Sequence, residues 1–468
     1  MERTLSSQTP EKKGESVRVE GWVDSRRDHG KIIFLDIRDR EGMVQVVFTP
    51  QAEAAYAAVQ EVRPEWVVAI EGVVQERPAS MKNPDSASGE VEISAEHLRV
   101  YSQSLTPPFP LNTDGYEIGE EHRLKYRYLD LRRKRLQKNL RIRSASLQFI
   151  RNYLSKEGFV EIETPILTKS TPEGARDFVV PSRLYPGTFY ALPQSPQQYK
   201  QLLQIAGHER YFQVVRCFRD EDPRADRQPE FTQLDIEMSF TNQEEILSLL
   251  ESLYIALAQN LFGEKHIQQI PFPRIPYKEA MEKWGTDKPD LRKNKNDPDE
   301  LAFAFITDFP AFEWKEQEKR WDAVHHPFTL TQTNDMEEIK KDPGSVLAYQ
   351  YDLALNGYEV AGGSLRIYDP EFLTQVLEFM GNKREDIEKQ FGHLLSAFQY
   401  GAPPHGGIAS GLDRLFAVLL CEPSIRETMA FPKTGDSRDL MMDSPSEISE
   451  EQLNELSLSV KKQENHDA

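Results

Sequence analysis

Two arginines in polar surroundings carry the strongest chemical signal in this chain. The first lies in Phe218-Arg219-Asp220-Glu221-Asp222, followed by Arg227-Gln228-Pro229-Glu230-Phe231-Thr232-Gln233. Acids beside the arginine, a short polar loop, a glutamate before an aromatic and alternating residues to Met238 predict two antiparallel strands joined by a loop. A guanidinium held there by neighbouring carboxylates can grip a carboxylate or phosphate through paired hydrogen bonds. The second, Arg414, follows Gly406-Gly407-Ile408-Ala409-Ser410-Gly411-Leu412-Asp413, which reads as strand to helix. For either arginine alone, a surface ion pair is the simpler reading. Asp352 and Glu359 flank Asn356-Gly357-Tyr358. That spacing suits Mg²⁺ held against phosphates through oxygen ligands, although two exposed loop acids are as common a meaning. His325-His326 makes a poor metal pair, because adjacent histidines rarely bind one ion and no third ligand lies close in sequence.

The elements that must position these residues can be read along the 468 residues, a length that allows two or three domains. Short strands recur from about 17 to 100, with a helical segment from Ala52 to Val62 between the third and fourth. Five strands in this order predict a small OB-type barrel, a fold that often binds single-stranded nucleic acid by stacking bases on aromatics. Phe34 is a candidate platform, or simply core. Ser104–Pro110 is proline-rich and reads as a linker. Leu136, Leu140, Leu147, Ile150 and Leu154 then keep near-helical spacing, Gly158 ends the helix, and Phe159–Thr164 is a strand stopped by Pro165. The tail after Ser444 is acidic and reads as ending in a helix.

Composition narrows the class. Hydrophobic residues make up 38 % and charged residues 28 %, a soluble globular profile. No apolar run approaches a membrane span, and the N-terminus lacks the apolar stretch of a secretory signal, so a cytoplasmic enzyme is expected. The net charge of −19 argues against indiscriminate nucleic-acid binding but leaves room for a local basic patch. Arg132-Arg133-Lys134-Arg135, continuing through Lys138, Arg141 and Arg143, is such a patch, or a solvated helix face. The two cysteines, Cys217 and Cys421, cannot build a disulfide framework and read as buried small residues.

The two arginine segments resemble motifs 2 and 3 of class II aminoacyl-tRNA synthetases, and the helix–strand–proline layout resembles motif 1. With Thr171-Pro172-Glu173-Gly174-Ala175-Arg176-Asp177, the wording from Gly21-Trp22 to Lys461 is similar to the bacterial aspartyl-tRNA synthetase family. The resemblance implies an α+β chain: an OB-fold anticodon-binding domain over 1–103, a linker over 104–125, and a class II catalytic domain over 126–468. In that domain an antiparallel sheet is flanked by helices. The family's extra domain between motifs 2 and 3, roughly a hundred residues, is missing; a short polar stretch over 285–304 replaces it.

By the same resemblance the chain joins L-aspartate to tRNA-Asp with ATP and Mg²⁺, through aspartyl-adenylate, as a homodimer. Both the carboxylate and the phosphate are anionic, so the site must neutralise them and hold them in line. Arg219 would bridge carboxylate and α-phosphate, Arg414 would clamp the γ-phosphate, and Asp352 with Glu359 would hold the metal. Catalysis would fall to Arg219, Arg414 and Glu359. ATP would also meet Asp220, Glu221, Gln228, Phe231, Gly411, Leu412 and Asp413. Lys200 and Arg366 would bind the aspartate side chain, two cations that a neutral asparagine would leave under-compensated. Ser195, Gln197 and Asp235 would accept from the ammonium, Glu173 would ride a closing loop, and His325 would touch aspartate. Arg27, His29, Phe34, Gln45, Ser80 and Glu92 would face the anticodon. Strict relatives carry leucine where His29 stands, and relaxed ones carry histidine with a small residue near Ser80. This predicts charging of tRNA-Asn as well, since an imidazole can donate or accept. Other readings are a non-catalytic RNA-binding or regulatory relative, a related synthetase for asparagine or lysine, and an aspartate-amidating enzyme of the same type. Arg366 with Lys200 argues against the asparagine and lysine enzymes. The amidating enzyme would lack the barrel.

Overall fold

The structure is a computed structural model describing residues 1–84, 86–171, 174–222 and 224–461. Glu173 lies outside the described residues. The chain forms two compact units, Met1–Leu111 and Asn112–Ala468.

In the first unit, strands β1 (Ser16–His29), β2 (Ile32–Arg38), β3 (Met43–Phe48), β4 (Val67–Glu76) and β5 (Val91–Ser102) close a barrel in the order β1-β2-β3-β5-β4. Helix Glu53–Val59 lies between β3 and β4 in sequence, as the pattern predicts. Strand alternation explains the core: Ile33, Leu35 and Ile37 are buried inside, while Phe34 and Asp36 face the other way and are half-buried. Phe34 is therefore not core.

The second unit is built on an eight-stranded sheet. Its strands run, in spatial order, Arg274–Pro276, Phe303–Thr307, Gln350–Leu355, Tyr358–Leu365, His405–Gly411, Glu230–Ser239, Arg210–Phe218 and Val160–Glu161. Every pairing is antiparallel except the outermost one at each end. Leu234, Ile236 and Met238 turn one way, into a core shared with helices Lys134–Lys156, Gln243–Leu261 and Leu412–Leu419. Gln233, Asp235 and Glu237 are buried on the opposite face of the same strand. One side of the sheet thus packs helices, and the other is free for chemistry.

Several expectations change here. The strand before Pro165 shrinks to Val160–Glu161, an edge strand paired with Tyr211 and Phe212, beyond which the Ile162 amide still donates to the Phe212 carbonyl at 3.2 Å. The basic patch divides: Arg133 is fully buried against Asp130 at 2.7 Å and Arg135 reaches Glu422 and Glu427 at 2.6 and 2.9 Å, while Lys134, Lys138 and Arg141 are exposed. Cys421 is exposed, its sulfur 3.0 Å from Lys265 Nζ, while Cys217 is buried and its thiol donates to Gln233 Oε1 at 3.1 Å. In the 285–304 stretch, the Glu300 carboxylate accepts from the Lys293 and Asn294 amides, each at 2.9 Å, and closes a compact turn. The tail's helix, Glu450–Glu455, stops short of its described end. Among the described residues no helix is long and apolar enough to cross a membrane.

Candidate active site

A cavity of about 580 Å³ opens on the chemical face of the sheet. Its floor belongs to a buried quartet of charges, of which Lys200, Asp235 and Arg366 line it and Glu237 pairs with two of them. Lys200 comes from helix Gln197–Ile205, Asp235 and Glu237 from one strand, and Arg366 from just past the strand Tyr358–Leu365. Arg366 Nε and Nη2 donate to the two Glu237 oxygens at 3.0 and 3.3 Å, and Nη1 donates to Ser364 Oγ at 2.7 Å. Lys200 Nζ lies 3.0 Å from Asp235 Oδ1 and 3.2 Å from Glu237 Oε2. A guanidinium has five N–H donors and an ammonium three. Among the described residues two remain on Arg366 and one on Lys200, a set that suits a carboxylate.

The electrostatics follow from this geometry. Burial alone would raise Glu237, but Arg366 and Lys200 outweigh it and hold the carboxyl at about 2. Burial prevails at Asp235 and raises it, despite Lys200. Its Oδ2 is buried without a hydrogen-bond partner, an acceptor suited to an ammonium. Glycine makes room for the quartet, since a Cβ on Gly407 would sit 2.1 Å from Glu237 Oε2. The cations are thus already paired with acids, so what the quartet offers a ligand is spare donors rather than uncompensated positive charge.

Above the floor, Arg219 departs from expectation. Neighbouring carboxylates do not hold it: Asp220 lies 3.8 Å from Arg176, and Glu221 pairs with Arg227 at 3.1 Å. Arg219 instead stands 5.3 Å over the Phe231 ring, with its Nε buried and unpartnered. Arg414 is tethered, donating to the Glu359 carbonyl at 2.6 Å and lying 3.3 Å from Asp226 Oδ2. Ser195, Gln197, Glu221, Gln228, His325 and Gly411 also line the cavity. The buried unpartnered atom of Gln197 is its amide nitrogen, a donor, so accepting from an ammonium would require the amide to turn over.

Three expected ATP contacts, Leu412, Asp413 and Asp220, do not face the cavity as free side chains. Leu412 is fully buried in the helix-side core. Asp413 lines the cavity, but both its oxygens are engaged, by the Thr232 amide at 2.7 Å and by Arg143 at 2.5 Å. It positions the strand and the long helix. Asp220 does not line the cavity.

Asp352 and Glu359 meet at one end. A Cβ built on Gly362 would lie 2.8 Å from Asp352 Oδ1 and 3.8 Å from Glu359 Oε1, so the two acids frame a cradle that only glycine leaves open. Burial, and next the Glu359 charge, push Asp352 well above the usual carboxylate range. Two like charges facing one gap suit a hard cation that also takes phosphate oxygens. Among the described residues no group of three ligands forms a closed metal site. The neighbouring His326 is held down to about 3, by burial and then by Arg366, and so is neutral.

On the barrel, Arg27, Phe34, Gln45 and Glu92 share one face. Arg27 Nη2 reaches Asp36 and Gln45, each at 3.1 Å, and Gln45 Nε2 donates to Glu92 at 2.7 Å. The His29 ring meets the Phe34 ring edge-on at 5.8 Å. Ser80 is exposed in a short turn, Ala79–Met81.

Sequence reasoning missed Glu237, Asp226 and Gln350. Glu237 was within reach, two residues beyond Asp235 on the same strand face; Asp226 and Gln350 carry no local signal.

Comparison with known proteins places this geometry. Residues 119–435 match the class II tRNA synthetases (D, K and N), and residues 17–101 match the OB-fold nucleic acid binding domain. The chain belongs to the class II tRNA synthetase family. It is 43 % identical to the aspartate--tRNA(Asp/Asn) ligase of Rubrobacter xylanophilus, covering 96 % of this chain and 95 % of the relative. It is 40 % identical to the aspartate--tRNA ligase of Exiguobacterium sibiricum, covering 96 % and 97 %. The Rubrobacter alignment runs over 570 residues against the chain's 468, so more than a hundred positions of it have no counterpart here. Among solved structures, asparaginyl-tRNA synthetase from Pyrococcus horikoshii with asparaginyl-adenylate superimposes with a TM-score of 0.74. It is 25 % identical and covers 93 % of this chain and 98 % of that one.

Proposed function

We propose that this protein activates L-aspartate with ATP and transfers it to tRNA. The observation that carries the reading is the buried quartet, which leaves three donors for one small carboxylate at the end of the family's cavity. In this reading Arg366 and Lys200 bind the side-chain carboxylate, and Asp235 Oδ2 accepts from the ammonium. Arg219 neutralises the α-carboxylate and the α-phosphate together, so that the carboxylate oxygen can attack phosphorus in line. Pyrophosphate leaves toward Arg414; a terminal ribose hydroxyl of the tRNA then attacks the acyl carbon of the aspartyl-adenylate, forming the ester and releasing AMP. Asp352 and Glu359 would hold Mg²⁺, which when bound supplies positive charge to the phosphates.

The enzyme works in the cytoplasm as a homodimer. Support for the dimer is the apolar surface at Val160, Ile166, Leu167, Val179 and Phe189, all about half exposed. The barrel face of Arg27, Phe34, Gln45 and Glu92 meets the anticodon, with His29 and Ser80 at its margin. His29 accepts a hydrogen bond from the amino group of C or donates one to the carbonyl of U at the last anticodon base, so both tRNA-Asp and tRNA-Asn are charged. Aspartylation assays with the two purified tRNAs test this. Comparable kcat/KM values are expected, and a preference for tRNA-Asp above roughly a hundredfold, about 2.7 kcal/mol, contradicts it.

A further inference from the structure

Gln350 precedes Asp352 by two residues on one strand, so both side chains leave the same face of the sheet. Its amide nitrogen donates to Asp352 Oδ1 at 2.9 Å. That contact sets which way the amide points, since its nitrogen is the end that faces Asp352. The Gln350 oxygen is then turned away, and it is buried with no hydrogen-bond partner, on a residue only 4 % exposed. A second orphan is His326 Nδ1, also buried. Both residues line one small cavity of about 10 Å³, together with Thr329 and Thr331. This is about the least space that holds one water, and buried waters occur where two to four polar groups converge. Leaving either atom unpaired in the interior would be costly.

We propose that Gln350 is a positioning residue for Asp352, and that one buried water bridging the Gln350 amide oxygen and His326 Nδ1 holds the amide in place. The water donates one proton to the amide oxygen. With the imidazole neutral, its second hydrogen bond to Nδ1 forms in either tautomer. Asp352 is thereby aimed at the Gly362 cradle before any cation arrives, and the aspartate-side loop carrying His325 and His326 is tied to the cation-side strand. The inference rests on reading Asp352 as a cation-holding acid.

Two measurements on the full chain test it. In a crystal structure of the metal-free protein, a water should lie within about 2.7–3.2 Å of both atoms; an empty cavity, or an amide turned from Asp352, overturns the proposal. Second, Mn²⁺ binding in the presence of ATP is followed by electron paramagnetic resonance for wild type, Gln350→Met and Asp352→Asn. Removing a group that orients a metal ligand commonly costs ten- to a hundredfold in affinity. Gln350→Met should therefore weaken Mn²⁺ about tenfold while KM for aspartate stays within about twofold. Loss of binding in Asp352→Asn with none in Gln350→Met refutes the positioning role alone. Unchanged binding in both removes the metal reading and this inference with it.

Discussion

At the scale of single residues, the site works by counting donors. Arg366 and Lys200 are paired with Glu237 and Asp235, so in the proposed reading selection falls to the N–H groups left over. Deleting Arg366 outright would strand the Glu237 charge in the interior, so Arg366→Lys is the cleaner test. It keeps the charge and loses the fork. The expected cost is about 2–3 kcal/mol, or roughly 30- to 150-fold in kcat/KM for aspartate. ATP affinity should hold. Aspartate-dependent pyrophosphate exchange measures the first and nucleotide titration the second. The individual cations and acids were legible because they stand in recognisable segments. Their mutual pairing was not, since Lys200, Glu237 and Arg366 come from elements far apart in sequence. For the same reason, sequence proximity wrongly gave Asp220 and Glu221 to Arg219.

At the scale of elements, strand alternation turns six residues of one strand into two surfaces. Leu234, Ile236 and Met238 meet the helices, while Gln233 and Asp235 line the cavity and Glu237 pairs with Lys200 and Arg366. The period of two was visible in the sequence; which face would be covered became clear only with the helices in place. Glycines 362 and 407 are structural for a stated reason, the close approach of carboxylates. A second ionic group ties the segment 113–139 to 422–430. There, burial alone would raise Glu427, but Arg123 and Arg135 hold it at about 2. An unfolded glutamate titrates near 4.3. The folded value is lower, so this stabilisation is fully present above about 4.3 and is lost as pH falls through about 2. Glu427→Gln should lower stability by about 3 kcal/mol at pH 7, because its arginines are left buried. The gap between variant and wild type in urea midpoint should narrow from pH 4.3 downwards. A gap independent of pH would remove Glu427 from that role. The basic run from Arg132 to Arg143 is only partly a surface patch, because charge along a chain does not reveal that Arg133 and Arg135 find acids while Lys134, Lys138 and Arg141 stay exposed.

At the scale of the molecule, both folds were legible: the barrel from its five short strands, and the second unit from motif order. The 285–304 turn leaves the candidate site intact, since no cavity-lining residue named here comes from it. Light scattering at micromolar concentration should give about twice the 53.9 kDa chain mass; a fully active monomer would contradict the homodimer. The central claim is that the quartet selects a negatively charged amino-acid side chain. Pyrophosphate exchange with aspartate and with asparagine, at equal concentration and without tRNA, tests it most directly. The account predicts exchange with aspartate and at least about a hundredfold less with asparagine. Equal exchange with both, or exchange with asparagine alone, would contradict it.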